Sequence, residues 1–395
     1  MRVAAVFSIP EPTSGGMHTF GASVLAALRD AAPESSHEFV YYATGIGEGE
    51  PDDVTSIPTT RRYVYRRAAS YQARHMLDYV GLPSTPARTW FERSIAKRRI
   101  DLVWFATPHA ERCDAPFIFT VLDIEHLRQP WFPEVADLGE WARRNRHYSH
   151  FIPRATRVIV PNEAGRDQIM SHFRIEAERV LCIGHPTPPF AREAAQHAPL
   201  LRARVDAFGV GDRFLFYPAQ FWAHKNHATL VEALAALACD GGQPYELVLV
   251  GSDKGQLDHV RGLAESAGIS RLVHFLGFVE TEDVVALYQH AHALTYLTFF
   301  GPENLPPLEA FALGCPVVAS DIPGVREQLG EAALVVPPTN AVRVAQAVRQ
   351  LEDGALRAEL VEKGRLRAAE LTPEAYVREV MSFLDEFERT RRCWA

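Results

Sequence analysis

The sequence predicts an α/β fold made of two doubly wound domains, each a parallel sheet covered by helices on both faces. Three observations predict it. Short apolar runs of strand length alternate with amphipathic stretches at helical spacing. A second such series begins after a proline-rich interruption. The 395 residues also exceed what one hydrophobic core normally organises. With 47% apolar and 23% charged residues the chain has a globular composition.

The elements follow in order. The run at 3–9, VAAVFSI, reads as a buried strand, Ser14, Gly15 and Gly16 as a loop, and 20–28 as an amphipathic helix. Further strands are expected at 39–43, 102–105, 117–122 and 157–160, with room for helices between them. The stretch 185–212 opens with Pro186, Pro188 and Pro189 and lacks a strand signal, as expected of a connection between domains. Beyond it strands are expected at 214–217, 246–250, 272–276, 293–297, 316–319 and 333–336, and helices at 228–237, 281–290 and 307–313. Residues 372–388 close the chain as a helix, with Pro373 near its start and Val377, Val380, Met381 and Leu384 at helical spacing. The resulting division is 1–184, a linker at 185–212, 213–371, and a closing helix at 372–395 that packs back on the first domain. Ligands of doubly wound sheets bind outside the carboxyl ends of the strands, so two facing domains would share one cleft.

Charge and cysteine usage narrow the functional classes. The net charge of −8 argues against general nucleic-acid binding. Cys113, Cys182, Cys239, Cys315 and Cys393 are scattered, with no CxxC spacing, which fits a reducing compartment. The early apolar run is too short for a secretion signal, and no stretch reaches the roughly 18 apolar residues of a spanning helix. A cytoplasmic protein is the expectation. Between Arg61 and Arg99, however, ten Lys or Arg stand against Asp78 and Glu92 alone, interleaved with Tyr63, Tyr65, Tyr71, Trp90 and Phe91. That mixture suits an anionic membrane surface on which a peripheral protein sits, or an anionic acceptor. A solvated helical face with buried aromatics would read the same way.

Three segments carry chemistry. In FFGPENLPPLEAFALGCPVVAS, 299–320, Gly301 permits close backbone approach, and Pro306 and Pro307 preset the first turn of a helix running through Glu309 and Ala312. The amides of Asn304, Leu305 and Leu308 would then face an anion such as a diphosphate. An ordinary proline-capped loop gives the same pattern. Lys225, in YPAQFWAHKNHATL, falls between a strand and a helix at the expected cleft edge, where its ammonium could neutralise a leaving diphosphate. In TVLDIEHLRQPWF, Asp123 and His126 follow a strand, placed to touch a sugar or an acceptor hydroxyl. The plain alternative is a turn cap and a half-buried histidine.

Taken together, SGG after the first strand, the lysine-asparagine pair, LVLVGSDKG, FLGFVETEDVVALYQHA and LPPLEAFALGCPVVASDIPG resemble the family-four retaining glycosyltransferases of GT-B fold. The likeness is nearly continuous in the second half and patchier in the first, where TVLDIEHL and VIVPNEAGRDQI carry it. The resemblance implies two Rossmann-like domains facing across a cleft, the first binding the acceptor and the second a nucleotide-sugar donor. It assigns Lys225 to the donor diphosphate, Glu309 to the ribose hydroxyls, Gly15, Gly16 and the Leu305 amide to the phosphates, and Phe278 and Val279 to the edge of the base. Three departures accompany it. Gly301 stands where the family commonly has a glutamate against the donor sugar, and the chain offers Glu303 instead. Gln220 stands where an arginine usually helps Lys225. Leu122 and Asp123 replace a histidine-aspartate pair, with His126 three residues on.

What the resemblance implies is transfer of a sugar with retention, from a GDP- or UDP-sugar to a glycan or lipid-linked acceptor in surface-polysaccharide synthesis. Catalysis would use Lys225, Glu303, Asp123 and His126, with no metal and no cofactor. A nucleotide-sugar epimerase of the same architecture and a non-catalytic two-lobed sugar-binding protein are the rival readings.

Overall fold

The computed structural model describes the whole chain except residues 12–14, 45–52, 59–68, 70–75, 77–87, 240–243, 302 and 395. Two parallel sheets organise it. The first contains β1 (Arg2–Ser8), β2 (Glu38–Thr44), β3 (Val54–Ser56), β4 (Leu102–Phe105), β5 (Phe117–Thr120), β6 (Arg157–Val160) and β7 (Val180–Cys182), in the order β3-β2-β1-β4-β5-β6-β7. The second contains β8 (Phe214–Pro218), β9 (Glu246–Val250), β10 (Val273–Gly277), β11 (Ala293–Tyr296), β12 (Val317–Ser320) and β13 (Ala333–Val336), in the order β10-β9-β8-β11-β12-β13. In each sheet the order of strand addition reverses beside its first strand, between β1 and β4 and between β8 and β11. Those are the switch points at which doubly wound sheets open a crevice.

Burial on both faces explains why these strands read as continuous apolar runs. Val3, Ala4, Ala5, Val6 and Phe7 of β1 are all fully buried, odd and even residues alike. Val3, Ala5 and Phe7 pack against the helices Gly16–Ala31 and Pro373–Arg391, while Ala4 and Val6 face Phe91, Ile95, Tyr148 and Phe151 on the other side. The closing helix is thus built into the first domain. Its Tyr376, Val377, Val380, Phe383 and Leu384 are at most 5% exposed, and each such side chain contributes roughly 1.5–3 kcal/mol.

The connection after β7 is not a bare tether. It contains the short helices Pro189–Ala194 and Ala203–Asp206, and its Ala191, Val205 and Val210 join the second core. Arg204 ties it to Asp283 and Glu282 at 2.7 and 2.9 Å.

Two glycines hold the second domain in shape by what they lack. A Cβ on Gly251, just past β9, would stand 2.3 Å from the Ala219 carbonyl oxygen. One on Gly364 would stand 2.6 Å from Phe311 Cδ1, so the helix Gly354–Glu370 presses directly on the helix Leu305–Ala312.

Most of the basic stretch between Arg61 and Arg99 lies outside the described residues. Its described end is the helix Trp90–Lys97, fixed by a capping box between Thr89 and Glu92. There Phe91 is fully buried, and both Trp90 and Phe91 pack edge-on against Tyr42. These two aromatics anchor the helix to the sheet. Among the described residues no helix is long and apolar enough to cross a membrane.

Candidate active site

Three chain segments leave the carboxyl edges of β1, β8 and β11 and meet between the domains. The first helix begins at Gly16 behind Gly15, whose φ of 69° is left-handed and suits glycine. A Cβ on Gly16 would lie 3.5 Å from Leu305 Cδ1, so the N-terminus of this helix meets that of the helix Leu305–Ala312 across the domain boundary. Two positive dipole ends therefore converge on one place.

Lys225 joins them. It ends a short turn after β8, and its Nζ donates to Tyr296 Oη at 2.7 Å and to Asn304 Oδ1 at 3.4 Å. Tyr296 Oη in turn donates to Asn304 Oδ1 at 3.0 Å. Asn304 is the residue that opens the helix Leu305–Ala312, so this chain of bonds aims the ammonium at the helix N-terminus. Burial lowers the Lys225 pKa to about 8, against the pull of Glu134 and Asp123. One turn into the helix, Glu309 accepts a hydrogen bond from Tyr288 Oη at 2.7 Å. Burial raises its pKa to about 7.

The helix N-terminus is narrower as an anion site than the sequence implied. Asn304 N already donates to Gln328 Oε1 at 3.1 Å, while Gln328 Nε2 donates back to the Asn304 carbonyl at 2.7 Å. Pro306 and Pro307 have no N–H to give. The Leu305 amide is what the first turn contributes.

Other expected residues are distributed unevenly. Gln220 follows β8, its Oε1 accepting from Trp222 Nε1 at 2.9 Å. Phe278, just past β10, is 65% exposed, whereas Val279 packs against the second core. Asp123 lies at the edge of the cleft but is held by Arg144 Nη2 at 2.5 Å and by the Glu125 amide at 2.9 Å. Against the burial that would raise it, these partners keep its pKa below the ordinary carboxylate value.

Two expectations are corrected. His126 does not reach the cleft: it is fully buried against Tyr148 and Trp141, and neither ring nitrogen has a partner among the described residues. Burial, with Arg144 nearby, lowers its pKa to about 4. Glu303 turns away from the cleft toward the domain connection, where its Oε2 accepts from the His185 amide at 2.5 Å. It is 8% exposed, and burial raises its pKa to about 8.

Sequence reasoning also missed the contacts that hold the domains together. Glu134 of the first domain bonds both the backbone amide and the ring of His224. His224 stacks on Phe300 at 3.9 Å, and Phe132 packs on Phe299 and Phe300. Glu327 of the second domain accepts from the Glu163 and Ala164 amides at 2.7 and 3.2 Å, capping the helix Glu163–Phe173. A glutamate and an aromatic pair in a polar loop leave no periodic signal.

This fold and cleft define a two-domain protein of GT-B architecture, its domains meeting at paired helix N-termini and a lysine. Comparison with known proteins gives the family. The model for Glycosyltransferase Family 4 matches residues 21–188, and that for Glycosyl transferases group 1 matches residues 204–367. The chain belongs to the family-four glycosyltransferases. It is 26% identical over 220 residues to O-antigen chain mannosyltransferase B of Escherichia coli, covering 55% of this chain and 57% of that one. It is 29% identical over 224 residues to D-rhamnosyltransferase WbpZ of Pseudomonas aeruginosa, covering 55% of each. The matched region spans little more than half the length of these relatives. Among solved structures it shares its fold with WaaG, a glycosyltransferase involved in lipopolysaccharide biosynthesis, at a TM-score of 0.70, 18% identity and coverage of 97% and 99%.

Proposed function

We propose that this protein transfers a hexose, with retention, from a nucleoside diphosphate sugar to a hydroxyl of a growing surface glycan or lipid-linked saccharide. The observation that carries the reading is the meeting of Gly16 and Leu305 at two helix N-termini, with Lys225 tied to Asn304 alongside. Convergent dipole ends and an ammonium fit a diphosphate, whose charge grows as the bond to the sugar breaks. The names of the relatives, an O-antigen chain mannosyltransferase and a D-rhamnosyltransferase, support a hexose donor and a glycan acceptor.

In this reading the second domain holds the donor and the first the acceptor. Glu309 takes the ribose hydroxyls, best as the carboxylate, and Phe278 and Val279 edge the base. Lys225 and the Leu305 amide stabilise the departing diphosphate, so the reaction proceeds without a metal ion or a cofactor. Asp123, poised at the cleft edge and ionised by Arg144, faces the sugar from the first domain. Retention fits a front-face route in which a donor phosphate oxygen takes the proton of the incoming hydroxyl.

Assay of the full chain with GDP- and UDP-sugars in excess EDTA tests this directly. Release of the nucleoside diphosphate with an α-linked product from an α-linked donor is expected. Turnover that disappears with EDTA and returns with a divalent cation overturns metal independence, and an inverted product overturns retention. Cytoplasmic, peripheral residence on an anionic membrane is part of the same proposal. It predicts liposome cosedimentation that weakens with salt, and equal pelleting with neutral and anionic lipid contradicts it.

A further inference from the structure

A cavity of about 210 Å³ lies between the two domains, beside the donor loop. The first domain lines it with Glu125, Arg128, Gln129 and Trp131, and the second with Phe300 and Gly301 among others. We infer that this cavity holds an uncharged hexose ring of the acceptor, stacked on Trp131 and hydrogen-bonded by Glu125 and Arg128. The inference rests on the glycosyl-transfer reading and adds the chemical class and seat of the acceptor.

Three features carry it. The first is the polar chemistry of the wall. Glu125 is 2% exposed, and its two carboxylate oxygens accept from Arg128 Nη1 at 3.2 Å and from Gln129 Nε2 at 3.0 Å. The carboxylate and guanidinium cancel in charge yet offer fixed, planar acceptors and donors. Sugar hydroxyls, which both donate and accept, match such a wall, and an unpaired phosphate or ammonium does not.

The second feature is Trp131. Its side chain is 69% exposed at the cavity mouth, an unusual position for an indole. A large, rigid aromatic face at the rim of a polar hollow suits the apolar face of a pyranose.

The third is position. Gln129 Nε2 also donates to the Phe299 carbonyl at 3.2 Å, which joins the cavity wall to the second domain. The Gly301 carbonyl accepts from Asn304 Nδ2 at 3.0 Å, and Asn304 Oδ1 meets Lys225 Nζ. The cavity floor is therefore two contacts from the lysine assigned to the departing diphosphate. A ring bound here lies beside the lysine's hydrogen-bond chain and leaves the Gly16–Leu305 junction free.

Saturation-transfer NMR on the full chain tests the inference, with methyl α-mannopyranoside as the uncharged probe and mannose 6-phosphate as the charged one. The uncharged probe should receive saturation, and Trp131→Ala and Glu125→Gln should each weaken its binding by about tenfold, the effect of losing one stacking or one charge-assisted contact. GDP and UDP affinities, measured by calorimetry, should be unchanged in both variants. Trp131 is exposed, so its truncation leaves the fold intact and separates a lost contact from a misfolded chain. Equal binding of the uncharged probe in wild type and Trp131→Ala overturns the inference, as does preference for the phosphate that survives both substitutions. The probes need no donor and no turnover, so failure of glycosyl transfer in a separate assay is distinguishable from failure of this site.

Discussion

Replacing Glu303 by glutamine should stabilise the protein increasingly as pH rises from 5 to 7.5. The carboxylate is 8% exposed, accepts the His185 amide, and has its pKa raised by burial to about 8. His185, whose pKa is lowered to about 4, is neutral throughout this range and supplies no countercharge. An unfolded chain releases the Glu303 proton near the ordinary glutamate value, about 4.3. Between that value and about 8 the folded state holds a proton that the unfolded state has lost. Stability therefore falls as pH rises, by up to about 1.4 kcal/mol per pH unit. Glutamine keeps the oxygen that accepts the His185 amide and removes the titration. The variant's advantage should thus grow by about 3 kcal/mol between pH 5 and 7.5, a rise of several degrees in relative melting temperature. Differential scanning calorimetry of both proteins across that range measures it. A difference in melting temperature that stays flat with pH, or moves against the variant, would refute the assignment of Glu303 as a buried group of the domain connection.

Other outcomes follow from the same geometry. Lys225→Ala should lower kcat/KM for the donor roughly 10- to 100-fold, the loss of one charged hydrogen bond to the diphosphate; a change under about twofold contradicts its role. In the wild type, kcat/KM for the donor should rise as Glu309 ionises through about 7 and fall as Lys225 loses its proton through about 8. Lys225→Arg should shift only the alkaline limb upward, and an unmoved limb assigns it elsewhere. Gly364→Ala should destabilise the second domain by about 1–3 kcal/mol and raise the donor KM, because the added methyl displaces Phe311 and with it the helix Leu305–Ala312; calorimetry and initial rates check both.

The sheets were legible in the sequence because both faces are buried. Runs such as Leu102–Phe105 and Glu246–Val250 are apolar almost throughout and have edges set by turns. The short edge strands Val54–Ser56 and Val180–Cys182 were not read, being three residues each and only partly buried. Several helices escaped as well. In Glu140–Phe151, EWARRNRHYSHF, only Tyr148 and Phe151 are buried, too few to mark an apolar face. The positions of Gly16, Lys225 and Leu305 followed from strand-loop-helix order, which is local information. The placement of Glu303 did not, because its partner His185 is 118 residues away and becomes a neighbour only when the connection folds across the domains. His126 shows the same limit. Whether a polar residue after a strand faces the cleft or the core depends on the rotation of a single turn, here Glu125–Arg128, and that turn sends the His126 ring against Tyr148.

In the proposed function the paired helix N-termini and Lys225 hold a nucleoside diphosphate sugar for transfer. Incubation of the full chain with radiolabelled GDP- and UDP-hexoses and a saccharide acceptor, with parallel Lys225→Ala and Glu309→Ala reactions, tests it most directly. Label is expected to pass to the acceptor with stoichiometric release of nucleoside diphosphate, and both substitutions to cut the rate at least about tenfold. Interconversion of the donor sugar without transfer, binding without turnover, or near-native rates in both variants would contradict it.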